Sequence, residues 1–312
     1  MALSPYMMQN LQCPVTKSGL TAGLDKFQAT DDASCVYPII NGCPVIINEQ
    51  NSLFQIDTFR KEIQTTINLS QSRAAKTLAK LIPSSSVNLK ASGNYEMLIN
   101  KLPKKAKILV LGGSYKGEGM QDFYSNSDFD LVGSDVSFGP DCDLICDAHD
   151  IPFKNKTFDC VIIQAVLEHV LDPQRCVNEI HRILKTDGFV YAETPFMQQV
   201  HMRQYDFTRF THLGHRRLFR WFSEVDSGPV GGPGMALAWS YIYFLRSFSS
   251  SPKISRYLGL FGRFTSFFLK YFDYFLIDKP GSYDAAAGLY FLGQKSDDVL
   301  SDFVLLKQFK GL

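Results

Sequence analysis

The stretch ILVLGGSYKGEGM, residues 108–120, decides how the rest of the chain is read. An apolar run that breaks into glycines marks a buried strand feeding a loop that comes close to a ligand. Three ligands compete for such a loop. A triphosphate loop needs GxxxxGK[ST]; Gly112 and Gly117 have the spacing, but Glu118 follows where a phosphate-binding lysine is required, and its charge would repel phosphate. A dinucleotide loop needs GxGxxG and an acid about 20 residues further on to hold a ribose hydroxyl. Gly112, Ser114 and Gly117 approximate that pattern, and Asp135 closes the next apolar run. Asp135 fits equally well a third ligand, an adenosine that carries no pyrophosphate.

The elements downstream shift the balance. Apolar runs at 129–135 (FDLVGSD), 142–147 (CDLICD), 158–164 (FDCVIIQ) and 188–194 (GFVYAET) read as strands, with a helix over 172–184. Apolar strands separated by helices or loops predict a parallel sheet covered on both faces. Two more strands are expected at 222–230 and 285–295. The predicted fold class is therefore α/β: a doubly wound, Rossmann-like, seven-stranded sheet with an antiparallel last strand. The third strand ends in CDAHDIPF, where the Asp147 carboxylate can accept from an adenine amino group and the Ala148 amide can donate to the ring. The fourth runs into VLEHVLDP, which puts Glu168 and His169 across the crevice that opens where strand order reverses.

Taken in order, LVLGGSYKGEG, SDVS, DAHDIPF and VLEHVLDP, followed by LKTDGFVYAETP, resemble the class I S-adenosylmethionine-dependent methyltransferases over residues 90–296. The resemblance implies S-adenosyl-L-methionine as cofactor. It implies that Gly112, Gly113, Gly117 and Gly119 let the backbone approach the amino acid part, and that Asp135 and Val136 hold the ribose. Asp147 and Ala148 would read adenine, with Gln164 in the same shell. The chain departs from the pattern in two places: Val110 stands where the first strand of the family carries an acid, and the loop carries two extra residues, Tyr115 and Lys116 among the candidates.

Methyl transfer is an in-line displacement at a sulfonium carbon, so the protein supplies alignment, a dry pocket and, for a poor nucleophile, a base. Residues 195–219 interleave polar groups with aromatics. His201 is the first expected base, Asp206 the second, and His169 a third candidate. Arg203, Arg209, His212 and His215 are the expected substrate-binding groups. Two plainer readings stand beside these: Asp206 and Arg209 can form a structural ion pair, and Glu168 and His169 can cap the next helix.

Residues 1–52 read as a small β module. CPVTKSGL and YPIINGCPVIIN resemble a degenerate zinc-ribbon-like unit in which Thr16 stands at the second ligand position, and Cys13, Cys35 and Cys43 do not form two close pairs, so no metal is expected. Residues 53–86 read as a helical connector and 87–312 as the catalytic domain, with a helical insertion at 233–280. In that insertion Tyr257, Phe261, Phe264 and Phe268 belong to an aromatic stripe at helical spacing, while Arg256, Arg263 and Lys270 repeat every seven residues on another face. It can be a lid packed over the sheet or, over 254–276, a peripheral membrane contact.

With 32 Lys and Arg against 31 Asp and Glu, the chain offers no electrostatic argument for a nucleic acid partner. Its seven scattered cysteines and the absence of a signal sequence or a long apolar run predict a cytoplasmic protein, at most peripheral to a membrane. The expected activity is O-methylation of a small molecule, a glycan or a lipid-linked sugar. DFTRFTHLGHRRLF, GPGMALAW and GLYFLGQK resemble methyltransferases of surface-polysaccharide assembly. An NAD-dependent oxidoreductase and a non-catalytic protein that keeps the methyltransferase fold are the alternatives.

Overall fold

The computed structural model describes residues 3–61 and 82–312, so most of the predicted connector, 62–81, lies outside the described residues. The main sheet is built from β5 (Lys107–Leu111), β6 (Asp130–Asp135), β7 (Leu144–Ile145), β8 (Phe158–Gln164), β9 (Leu184–Pro195), β10 (Phe222–Gly231) and β11 (Gly288–Lys295). Their order across the sheet is β7-β6-β5-β8-β9-β11-β10. The strands from β7 to β9 run parallel, and β11 is antiparallel to both β9 and β10. Growth of the sheet reverses direction between β5 and β8, which opens a crevice at the carboxyl ends of these strands.

The continuous apolar runs explain the central strands. Cys160, Val161, Ile162 and Ile163 of β8 are all fully buried, as a strand covered on both faces requires. The strand predicted at 142–147 shortens to two residues because Asp143 ties itself to β6: its amide donates to the Gly133 carbonyl at 2.8 Å and its carboxylate accepts from the Gly133 amide at 3.1 Å. After β8, Asp172 accepts from the Arg175 amide and Pro173 occupies the first turn of a helix that runs over Pro173–Ile183. That helix turns Cys176, Val177, Ile180 and Ile183 into the core as one stripe.

The amino-terminal residues form a four-stranded antiparallel sheet, β1 (Leu20–Ala22), β2 (Lys26–Ala29), β3 (Val36–Ile40) and β4 (Cys43–Pro44). Val45 then bridges Ile145 in parallel, and the Ile46 amide donates to the Ile145 carbonyl at 2.9 Å, so the module covers the exposed edge of β7. Within it the Cys13 thiol meets the Tyr37 hydroxyl at 3.1 Å and the Thr16 amide at 3.4 Å.

Between β10 and β11 the chain forms helices at Pro233–Arg246 and Pro252–Ser266, a 3-10 segment at Phe267–Phe272, and short helices at Asp273–Leu276 and Pro280–Ala285. Buried Asp273 accepts from the amides of Gly232, Gly234 and Met235, fixing the start of the first helix. The aromatic stripe does not lie over the sheet as a lid. The second helix buries Gly259, Gly262 and Ser266 against the first and leaves its large aromatics outward. Among the described residues no helix is long and apolar enough to cross a membrane.

Candidate active site

A cleft of about 730 Å³ opens at the carboxyl ends of β5, β6 and β8. Gly112 floors it with φ +75°, and a Cβ there would stand 2.3 Å from Val166 Cγ2, so both conformation and space demand glycine. Asp135, at the end of β6, presents its carboxylate to the cleft already engaged: Oδ2 accepts from the Ser114 hydroxyl at 2.7 Å and amide at 3.3 Å, Oδ1 from the Ser137 amide at 3.0 Å and hydroxyl at 3.1 Å. Asp147 is engaged as well. His149 donates to Oδ1 from its amide at 3.0 Å and lies 2.6 Å away through Nδ1, while Ser52 donates to Oδ2 at 2.5 Å. Burial would raise its pKa, but the hydrogen bonds from His149 and Ser52 outweigh it and hold the carboxyl below the usual range. Val136 and Ala148 line the same cleft. Leu53 and Phe54, just after the amino-terminal module, form its far wall, with Phe54 stacked on Tyr205 at 6.2 Å between ring centroids.

The other expected cofactor residues sit elsewhere. Gly113, Gly117 and Gly119 do not line the cleft; they make room for Val110, for the Gln164 side chain and for the helix that begins at Ala91. Gln164 also lies outside it, donating to Glu193 Oε2 at 3.0 Å and to the Glu118 carbonyl at 3.3 Å, where it braces the glycine loop against β9.

A second cavity, of about 230 Å³, adjoins the first, and Ala165 borders both. Ala165 adopts a left-handed conformation with φ +54°, a strained geometry that concentrates at functional sites. Glu118, Glu168, Glu193 and His201 are the ionisable groups that line the second cavity. Glu193 is already satisfied by Tyr191 at 2.5 Å, Asn88 at 2.8 Å and Gln164. Glu168 is different: its side chain is 1% exposed, and its Oε2 has no hydrogen-bond partner among the described residues.

Two imidazoles approach Glu168. His169 Nδ1 lies 2.7 Å from the Tyr205 carbonyl, which can only accept, so Nδ1 carries the proton and Nε2 turns its lone pair toward Glu168 Oε1 at 3.6 Å. His201 repeats the arrangement, with Nδ1 3.3 Å from the Gln199 carbonyl and Nε2 3.9 Å from Glu168 Oε1. Three lone-pair donors lie within 4.8 Å of one another, a set that could hold a metal ion. A proton serves equally, since burial pushes the Glu168 carboxyl up to about 8. Burial likewise lowers the pKa of His169.

The segment after β9 is held by an internal staple. Arg209 pairs with both carboxylate oxygens of Asp206 and donates to the carbonyls of Gln198, Gln199 and Thr208. Enclosure works the other way, but the Arg209 guanidinium and the His201 amide hold Asp206 far below the carboxylate range, so it is unsuited to act as a base. Asp206 and Arg209 are thus the structural pair, and neither lines either of the two cavities. The two expected substrate-binding histidines are also buried away from both cavities: His212 lies 3.1 Å from Ser227 Oγ, and His215 packs edge-on against Phe219. Burial pushes their pKa values down to about 4 and about 3. Arg203 is exposed, with φ +52°, outside both cavities. His169 lines the first cavity and His201 the second. Sequence reasoning missed Ser52, Leu53, Phe54 and His149, whose only signal was local polarity or aromaticity in an irregular segment.

A search of curated proteins found no match to this sequence. Residues 126–192, from the turn before β6 to the middle of β9, match the methyltransferase domain family. Among solved structures, Haemonchus contortus phosphoethanolamine N-methyltransferase 2, determined with phosphomonomethylethanolamine and S-adenosylhomocysteine, is 16% identical with a TM-score of 0.42, over 66% of this chain and 52% of that one. Burkholderia thailandensis 1,6-didemethyltoxoflavin-N1-methyltransferase is 13% identical with a TM-score of 0.42, over 85% of this chain and 97% of that one. Geranyl diphosphate C-methyltransferase from Streptomyces coelicolor is 14% identical with a TM-score of 0.40, over 65% and 76%. These likenesses are too distant to carry a substrate. With the domain match, the sheet order and a cleft that holds Asp135 and Asp147 at its strand ends, the chain carries a class I, S-adenosylmethionine-dependent methyltransferase domain.

Proposed function

We propose that this protein moves the S-methyl group of S-adenosylmethionine to a hydroxyl of a small molecule, a glycan or a lipid-linked sugar. The observation that carries this reading is the meeting of two cavities at Ala165: one with carboxylates set for a ribose and an adenine, the other smaller and lined by Glu168 and His201. In this arrangement the larger cleft would hold the adenosine, with Asp135 accepting from the ribose hydroxyls and Asp147 from the adenine amino group. Ala165, which borders both cavities, would leave the methyl donor facing the smaller one, where the acceptor would bind. The acceptor oxygen forms the new C–O bond, and the C–S electron pair returns to sulfur. The acceptor proton goes to the ionised Glu168 carboxylate, next to His201. A base whose pKa is about 8 is well matched to a hydroxyl near neutral pH.

Calorimetry with S-adenosylmethionine, S-adenosylhomocysteine and NADH tests the cofactor assignment. Binding of the two sulfur ligands without NADH is expected; binding of NADH alone transfers the fold to oxidoreductase chemistry. Release of S-adenosylhomocysteine on addition of hydroxylated acceptors, and of amines or thiols as controls, then reads the acceptor atom.

A further inference from the structure

The helix at Pro252–Ser266, packed on the one at Pro233–Arg246, reverses the usual amphipathic order. A helix that packs on a soluble core turns its large apolar residues inward. Here Gly259, Gly262 and Ser266 face inward, with Gly262 against Ile242 and Gly259 against the Arg246 side chain. Tyr257, Phe261 and Phe264 face out, at 72%, 57% and 50% exposure. The next turns extend the surface with Phe268, Tyr271, Phe272 and Phe275, and Phe244 and Phe248 add to it from the end of the first helix. So many exposed aromatic rings on one pair of helices mark a place of contact.

Charge selects the occupant. The whole chain carries a net charge of only +1, yet residues 244–277 hold Arg246, Lys253, Arg256, Arg263 and Lys270 with Asp273 as the sole acid. Asp273 is fully buried at the start of the first helix and accepts from its amides, so it presents no carboxylate at that surface. A second copy of the chain would set these cations against themselves, whereas an anionic lipid surface neutralises them and takes the aromatic rings at headgroup depth. The same first helix reaches the acceptor cavity: Met235 lines it, Trp239 donates to Ser86 Oγ at 3.1 Å beside it, and Tyr243 donates to the Val200 carbonyl at 3.0 Å.

We infer that the helical hairpin over 233–276 docks this protein on an anionic membrane surface, with the acceptor cavity at its base placed to receive the polar head of a lipid-anchored substrate. The docking stands on its own; the identity of the cavity as an acceptor site rests on the methyl-transfer reading.

The experiment is co-sedimentation of the full chain with vesicles of phosphatidylcholine, with and without a third of phosphatidylglycerol. The wild type, Phe261→Ser/Phe264→Ser/Phe268→Ser and Arg256→Glu/Arg263→Glu are compared, and S-adenosylhomocysteine calorimetry on each protein reports an intact fold. The wild type is expected to partition onto the anionic vesicles, less onto neutral ones, and less again at high salt. Each variant is expected to lose about tenfold or more while binding S-adenosylhomocysteine as the wild type does. Absence of wild-type partitioning overturns the inference, as does unchanged partitioning of folded variants. A wild-type dimer that the variants dissolve, with no vesicle binding, assigns the surface to a second copy instead. Vesicle binding by a wild type that ignores S-adenosylhomocysteine leaves the docking intact and removes the methyl-transfer reading.

Discussion

Replacing Ser114 with alanine should tighten cofactor binding, although Ser114 lines the cofactor cleft. The reason lies in the Asp135 carboxylate, which receives four donors in this structure, two from Ser114 and two from Ser137. A carboxylate offers about four lone-pair sites, so two ribose hydroxyls can dock only if serine hydroxyls turn away. The Ser114 hydroxyl, at 2.7 Å from Oδ2, is the shortest of the four. A hydrogen bond to a charged group contributes about 1.5–3 kcal/mol net, part of which the displaced hydroxyl recovers on another partner. Removing it in advance should therefore favour binding by about 1–2 kcal/mol, which is roughly 5- to 30-fold in Kd. Asp135→Ala, which removes the acceptor itself, should weaken binding by about 2–4 kcal/mol, roughly 30-fold or more. Calorimetric titration of S-adenosylhomocysteine into wild type, Ser114→Ala and Asp135→Ala measures all three. A tenfold loss in Ser114→Ala would refute the competition and make the serine itself a cofactor contact; equal affinity in Asp135→Ala would remove the ribose assignment.

Other perturbations probe the rest of the site. Glu168→Gln should abolish the rise of kcat/KM through an apparent pKa near 8 and lower kcat about a hundredfold or more, with S-adenosylhomocysteine affinity unchanged; a pH profile that survives the substitution places the base elsewhere. Stability gives an independent reading of the same group. Its folded pKa, about 8, lies above the ordinary glutamate value of 4.5, so the folded state retains a proton that the unfolded chain releases. The contribution is full below about 4.5 and is lost as pH rises toward about 8, so the wild-type Tm should fall relative to Glu168→Gln across that window; parallel Tm curves would contradict it. Arg209→Ala should destabilise the segment after β9 by about 2–3 kcal/mol, because the enclosed Asp206 carboxylate is left without its partner, and limited proteolysis should then cut near residue 200. Persistent resistance to cleavage would show that the staple is dispensable. Asp273→Ala should lower the Tm by removing the acceptor of three buried amides, an effect of about 2 kcal/mol, and a Tm equal to the wild type would show that solvent replaces the carboxylate there.

Much of the sheet was legible because its central strands are largely apolar and two of the predicted strands, 129–135 and 142–147, close on carboxylates. Period and composition placed β5, β6, β8 and β9 with errors of a few residues, and Asp135 and Asp147 stood at the strand ends where a crevice must open. Side-chain pairing across distant segments was not legible. Nothing local to Asp147 announces Ser52, 95 residues away, as its partner. The polar run over 195–219 looked like a substrate pocket because hydrophilic residues at that density usually face solvent or a ligand. In the fold, the loop consumes Asp206 and Arg209 in holding itself, and the helix that follows, His212–Leu218, turns its histidines into the core. Helical periodicity showed that the insertion has an aromatic face, and only the inward glycines reveal which way that face points.

The bond from Ser52 to Asp147 ties the amino-terminal module to the adenine end of the cleft, and Ile46 ties it to the edge of β7. Cofactor and module therefore share one free energy: whatever the adenosine gains from a wall already in place, the module must gain in protection when adenosine binds. The module is thus a component of the binding constant. Slowed hydrogen exchange at Ile46 and Ser52 on adding S-adenosylhomocysteine would measure that reciprocity from the module itself, without reference to any acceptor.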